Sequence, residues 1–145
     1  MQIHNWVLCL LVAAATGYAQ DASSREPPNE LVIETIHMPE VCTLKAGTED
    51  QIKVHYTGTL HATGAKFDSS YDRNSPLPLK LGVGQVIKGW DEGLQGMCVG
   101  EIRLLTIPAH MAYGSRGFGN VIPANSALVF KTELIELNPK SRDEL

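Results

Sequence analysis

One stretch of the chain has the period of a helix. In VIKGWDEGLQGM, residues 86–97, Val86, Trp90, Leu94 and Met97 recur every three or four positions and so share one helical face. Gly89, Gly93 and Gly96 keep the same spacing one position earlier. Each glycine inside a helix costs about 1 kcal/mol relative to alanine, so the three together forfeit about 3 kcal/mol. A short helix tolerates that loss only where tight burial offsets it. The pattern predicts a helix over 86–97 laid against other chain on nearly all sides. Trp90 then points between the helix and its cover, as plain core or as the floor of a pocket open at one end. Periodicity alone does not separate these two.

What covers the helix reads as sheet. QIKVHYTGTL alternates Ile52, Val54 and Tyr56 against Lys53, His55 and Thr57. LPLKL alternates Leu77, Leu79 and Leu81, and Pro78 confines that strand to an edge or a bulge. EIRLLTIP sets Ile102, Leu104 and Thr106 against Arg103, Leu105 and Ile107, and SALVFKTELIEL puts Leu128, Phe130, Thr132 and Leu134 on one side. Turn-rich segments separate these runs, HATGAKFDSSYDRNSP and AYGSRGFGNVIP. The fold class is therefore α+β, a twisted antiparallel sheet wrapped around one short helix.

With 145 residues, the chain holds one domain with one sizeable core. Its net charge of −4 offers no basic stripe for a nucleic acid. The five histidines (His4, His37, His55, His61 and His110) keep no metal-ligand spacing. The glycines at 82, 84 and 89 miss the spacing of a nucleotide-binding loop.

The apolar run WVLCLLVAAATGYA, followed by a polar segment, reads as a secretory leader over 1–19 cleaved after Ala19; a membrane anchor is the alternative. Residues 20–30 read as a flexible entry, 31–138 as the domain and 139–145 as a tail. The tail ends in RDEL, which resembles an endoplasmic reticulum retrieval signal, or is simply a charged fray. Leader and tail point to the same compartment, the endoplasmic reticulum lumen, with a retrieval receptor as partner. No second apolar run suggests a membrane span in the mature chain. Cys9 leaves with the leader, so Cys42 and Cys98 remain, as a bridge or as two buried thiols.

Five segments in order, VHYTGTL, KFDSSYDRN, GQVIKGWDEGL, AYG and VIPANSALVF, resemble the FKBP family, the tacrolimus- and rapamycin-binding peptidyl-prolyl cis/trans isomerases. The resemblance covers about residues 31–138 and is nearest to the small single-domain members of the secretory pathway. It implies a disulfide between Cys42 and Cys98. It implies that Trp90 floors a proline pocket walled by Tyr56, Phe67, Val86, Ile87, Tyr113 and Phe130. The Ile87 N–H and the Tyr113 hydroxyl match donors to substrate carbonyls. Asp68 matches a carboxylate at the pocket edge, and Arg73 the basic residue beside it. Leu77, Leu79, Phe118 and Ile122 match the pocket's periphery. Leu77 and Leu79 stand where well-known cytosolic members have phenylalanines, so that wall is less aromatic and drug affinity lower. Phe118 is either an apolar lip or an exposed loop aromatic.

An X–Pro bond rotates slowly because amide resonance must be broken. The twisted amide is less polar than the planar one, so a water-poor apolar box favours it. Such chemistry asks for no nucleophile, metal or cofactor. The implied function is isomerisation of X–Pro bonds in proline-containing clients of the secretory pathway by a monomer that also binds tacrolimus and rapamycin. The alternative is a proline-peptide binding module or chaperone in which turnover is incidental.

Overall fold

The computed structural model describes residues 26–141. The leader over 1–19, the start of the 20–30 segment and the RDEL tetrapeptide lie outside the described residues.

Six strands form one antiparallel sheet: β1 (Val32–His37), β2 (Gln51–Leu60), β3 (Lys66–Ser69), β4 (Leu77–Lys80), β5 (Ile102–Ile107) and β6 (Leu128–Asn138). Their order is β1-β5-β6-β2-β3, and β4 also pairs with β2. β2 and β6 pair along their whole lengths, from Gln51 opposite Asn138 to Leu60 opposite Leu128. On its other side β2 meets two strands in succession, β4 along Gln51–Val54 and β3 along Thr57–Thr59. Pro78, which has no N–H to give a ladder, lies in β4, whose one strand neighbour is β2. The alternating residues face as their period requires. Ile52, Val54 and Tyr56 are buried from β2, Leu105 and Ile107 from β5, and Leu128, Phe130 and Leu134 from β6.

Across this inner face lies α1 (Lys88–Gly93), the one α-helix among the described residues. It is shorter than the 86–97 pattern suggests. The Leu94 N–H still bonds the Trp90 carbonyl, but the chain then turns at Gly96, where φ is +75°. The Gly96 N–H bonds the Ala46 carbonyl at 2.8 Å, and the Ala46 N–H bonds the Met97 carbonyl at 2.9 Å. Leu94 and Met97 are still buried beside Trp90, which is why the apolar period outlasts the helix. The three glycines divide accordingly. A Cβ on Gly89 would lie 2.5 Å from Ile107 Cγ2, and one on Gly93 would lie 2.8 Å from Leu105 Cδ1. These two let the helix rest on β5, while Gly96 serves the turn that ends it.

A disulfide joins Cys42 to Cys98 across 56 residues of sequence, with the Cα atoms 5.6 Å apart. Beside it, the wholly buried Glu101 accepts the Cys98 N–H at 3.1 Å, the Thr35 hydroxyl at 3.1 Å and Arg103 Nε at 2.5 Å. Arg103 Nη1 also donates to the Gly93 and Gln95 carbonyls, at 2.9 and 2.8 Å. Burial pushes the Glu101 carboxyl up, but its bonds to Arg103, Cys98 and Thr35 outweigh that and hold it below its ordinary value. The helix end, the disulfide and β5 thus form one unit.

Gly89→Ala should gain about 1 kcal/mol of helix propensity and lose more to overpacking against Ile107, typically about 1–3 kcal/mol. Urea unfolding should show no net stabilisation. Replacing Cys42 and Cys98 together by alanine should cost about 4 kcal/mol in the chain-entropy account, read as a lower urea midpoint.

Candidate functional site

Between α1, β2, β6 and the β3–β4 side of the sheet opens a cavity of about 410 Å³. Tyr56, Phe67, Asp68, Leu77, Gly84, Gln85, Val86, Ile87, Trp90, Tyr113 and Phe130 line it. The inner face of the sheet is therefore not filled everywhere: at one end the side chains stand around open space.

Trp90, 3% exposed, lies among edge-on rings. Its ring centroid is 5.0 Å from that of Tyr56, at 80° between planes, and 5.2 Å from that of Phe130, at 85°. Phe67 meets Phe130 edge-on at 5.6 Å. Edge-to-face contacts match the positive ring edge to the negative face and hold the rings in fixed orientation. The buried indole N–H has no hydrogen-bond partner among the described residues. The aromatic wall also depends on a residue with no side chain. A Cβ on Gly58 would lie 2.6 Å from Phe67 Cζ and 2.7 Å from Phe130 Cε1.

One edge is charged. The Tyr56 hydroxyl donates to Asp68 Oδ2 in a short hydrogen bond. Arg73 Nη1 donates to Asp68 Oδ1 at 2.5 Å, and Arg73 Nη2 donates to the Tyr56 hydroxyl at 2.9 Å. Ser70, at 0% exposure, accepts the Tyr56 N–H at 2.7 Å and holds the turn after β3 against β2. Partial burial pushes the Asp68 carboxyl up, yet the bonds from Tyr56 and Arg73 win and hold it below its ordinary value. Burial first, then the bond to Asp68, raises the Tyr56 phenol. Burial and the nearby Asp68 charge raise Tyr113. At neutral pH the carboxylate is therefore ionised and both phenols keep their protons. The Ile87 N–H and the Tyr113 hydroxyl have no intramolecular acceptor among the described residues, and both residues line the cavity.

The residues expected on the periphery separate. Leu77 lines the cavity and Arg73 reaches it through Tyr56 and Asp68. Leu79 does not: paired opposite Ile52, it is buried at 4% exposure in the core, so a single leucine stands on that wall. Ile122 is also core rather than rim, because paired backbone bonds with Phe118 turn its side chain inward. Phe118 is 56% exposed with its ring 5.0 Å from that of Tyr113, outside the cavity lining. The sequence reading missed Gly58, Gly84 and Gln85. A lone glycine inside an alternating strand, as in the YTGTL run, is a signal of close approach that would have found Gly58. Nothing in the periodicity marks the other two.

Residues 42–135 match the model of a family described as FKBP-type peptidyl-prolyl cis-trans isomerase. FK506-binding protein 2 of Dictyostelium discoideum is 49% identical over 133 residues, which is 92% of this chain and 97% of that protein. FK506-binding protein 2B of Rhizopus delemar is 52% identical over 134 residues, 90% of this chain, and the match spans 64% of that longer protein. Among solved structures, the crystal structure of AtFKBP13 is similar with a TM-score of 0.67 and 38% identity, over 76% of this chain and 94% of that one. With its ring-walled cavity and its sheet wrapped on one helix, the chain belongs to the FKBP-type peptidyl-prolyl cis-trans isomerases.

Proposed function

We propose that this isomerase twists X–Pro bonds of secretory-pathway polypeptides in the cavity floored by Trp90, working by desolvation and carbonyl anchoring. The observation that carries the reading is the pairing of an aromatic box with two unpaired donors, the Ile87 N–H and the Tyr113 hydroxyl. A proline ring enters between Tyr56, Phe67, Val86, Trp90 and Phe130. Water leaves, and the planar, more polar amide loses more solvation than the twisted one. The donors hold neighbouring carbonyls of the planar and the twisted chain alike, so they seat the bond in the box while the box itself favours the twisted form. Asp68 acts by fixing Tyr56 and Arg73 rather than by moving a proton. The same cavity takes the proline-like ring of tacrolimus or rapamycin, in keeping with relatives named FK506-binding proteins. The leader and the RDEL tail support residence in the endoplasmic reticulum lumen, as a monomer returned by a retrieval receptor.

A protease-coupled assay on a short X–Pro peptide tests the site. Trp90→Leu keeps an apolar floor and should lower turnover without abolishing it. Tyr113→Phe removes one donor and should cost about 0.5–1.5 kcal/mol of transition-state stabilisation. Asp68→Val should cost more, because it frees Tyr56 and Arg73 together. Unchanged turnover in Trp90→Leu would refute the pocket assignment. No histidine lines the cavity, so the wild-type rate should be nearly flat from about pH 6 to about pH 8; a bell-shaped profile would indicate acid–base catalysis instead. The lowered Asp68 value sets the sign at acid pH. Its stabilising contribution is complete above the unfolded carboxylate value, about 3.9, and is lost as pH falls through the lower folded value. The acid limb of a thermal-melt series should therefore be shallower in Asp68→Asn.

Deleting Arg142 to Leu145 should divert the protein from cells into the medium. Equal retention with and without the tail would remove the retrieval assignment.

A further inference from the structure

Val86 and Ile87 reach the cavity from a loop, residues 81–87, that joins β4 to α1. Short connections that carry binding groups must be held by something, since exposed loop backbone is otherwise mobile. Gly82 and Gly84 both have left-handed backbone, with φ of +75° and +77°. Alternate left-handed residues turn successive N–H groups toward one point, and such a concavity binds an anion. The anion here is a side chain. Asp91 Oδ1 accepts the Gly82 N–H at 2.9 Å, and Asp91 Oδ2 accepts the Gly84 N–H at 2.8 Å. The same residue grips the far end of the loop, its own N–H bonding the Ile87 carbonyl at 3.2 Å beside the Trp90 N–H at 2.9 Å. Asp91 thus closes the loop from both ends and lies next in sequence to Trp90.

We propose that Asp91 is a positioning residue for the isomerase: by clasping Gly82, Gly84 and Ile87 it sets where the Ile87 N–H and the Val86 side chain meet the substrate. This rests on the reading that the Ile87 N–H anchors a substrate carbonyl. An anchor that binds the planar and twisted amide alike contributes uniform binding, so its loss raises KM and leaves kcat nearly alone. A role confined to supporting the helix has a different signature. It would lower stability, yet the folded fraction would keep its KM.

The test compares Asp91→Asn, which keeps the volume but removes the charge and one acceptor, with Gly84→Ala. A Cβ at Gly84 meets no protein atom within 4 Å, so inside the protein that change acts through the left-handed backbone it strains. Because Gly84 also borders the cavity, a KM change in this variant counts only when the Gly82 and Ile87 amides exchange faster as well. Steady-state isomerisation of an X–Pro peptide, corrected for the folded fraction by urea unfolding, should give a KM raised roughly tenfold with kcat within about twofold of wild type. Amide exchange at Gly82 and Gly84 should quicken in Asp91→Asn. If Asp91→Asn fails to fold, Gly84→Ala decides alone. An unchanged KM in whichever variants fold overturns the proposal. A control separates it from the reading beneath it: in wild type, a saturating proline peptide should slow exchange of the Ile87 amide. Slowed exchange with normal KM in the variants overturns only the clasp. No slowing in wild type overturns the anchoring role of Ile87 and the clasp with it.

Discussion

The fold depends on how closely α1 approaches β5. Gly89 lies on Ile107 and Gly93 on Leu105 at separations that leave no room for a methyl group. Any larger residue there would lift the helix from the sheet and carry Trp90 with it. Two glycines weaken the helix intrinsically, by about 1 kcal/mol each. The packing they allow buries Trp90, Leu94 and Met97 against Leu105, Ile107 and Leu128. Arg103 then fastens the helix end from below, joining its last carbonyls to the buried Glu101 and so to the backbone of the disulfide-bonded Cys98.

The same approach makes the cavity. A helix held this near the sheet fills its inner face at one end and leaves it open at the other, where Tyr56, Trp90 and Phe130 stand edge-on to one another and Phe67 stands edge-on to Phe130. Edge-on rings resist collapse into the gap because each is already in favourable contact with a neighbour. Charge is confined to one rim, where Asp68 accepts hydrogen bonds from both Tyr56 and Arg73. The interior stays apolar and the edge stays fixed, which suits the desolvation proposed for this site.

Much of this was legible in the order of residues. Period-two alternation identified the buried faces of β2, β5 and β6, and Pro78 marked β4 as a strand with a restricted ladder. The glycine stripe announced a tightly packed helix. Its end was not legible, because Leu94 and Met97 prolong the apolar period after the backbone has left the helix at Gly96. Nor was the difference between Leu77 and Leu79, which share one face of β4: one borders the cavity and the other lies under Ile52's side of the core. Alternation reports that a side chain points inward, not whether the inside is occupied there. Asp91, whose carboxylate lies 2.8 and 2.9 Å from the Gly84 and Gly82 amides but seven and nine residues away in sequence, carries no periodic signal at all.

Sequence by itself determined the local choices: which stretches are strand, which is helix, which faces are apolar, and, through five ordered motifs, the family. These follow from side-chain spacing and backbone preference, which act between near neighbours. Tertiary structure alone decided what depends on distant segments meeting. It brought the Tyr56 hydroxyl to the Asp68 carboxylate, placed Gly58 beneath two phenylalanines, set Asp91 against the Gly82 and Gly84 amides, and sent Leu79 and Ile122 into the core; the Cys42–Cys98 bridge, the Asp68–Arg73 neighbours and the pocket were already implied by the family resemblance. Each is set by how segments distant in sequence pack together, which depends on volumes summed over the whole domain.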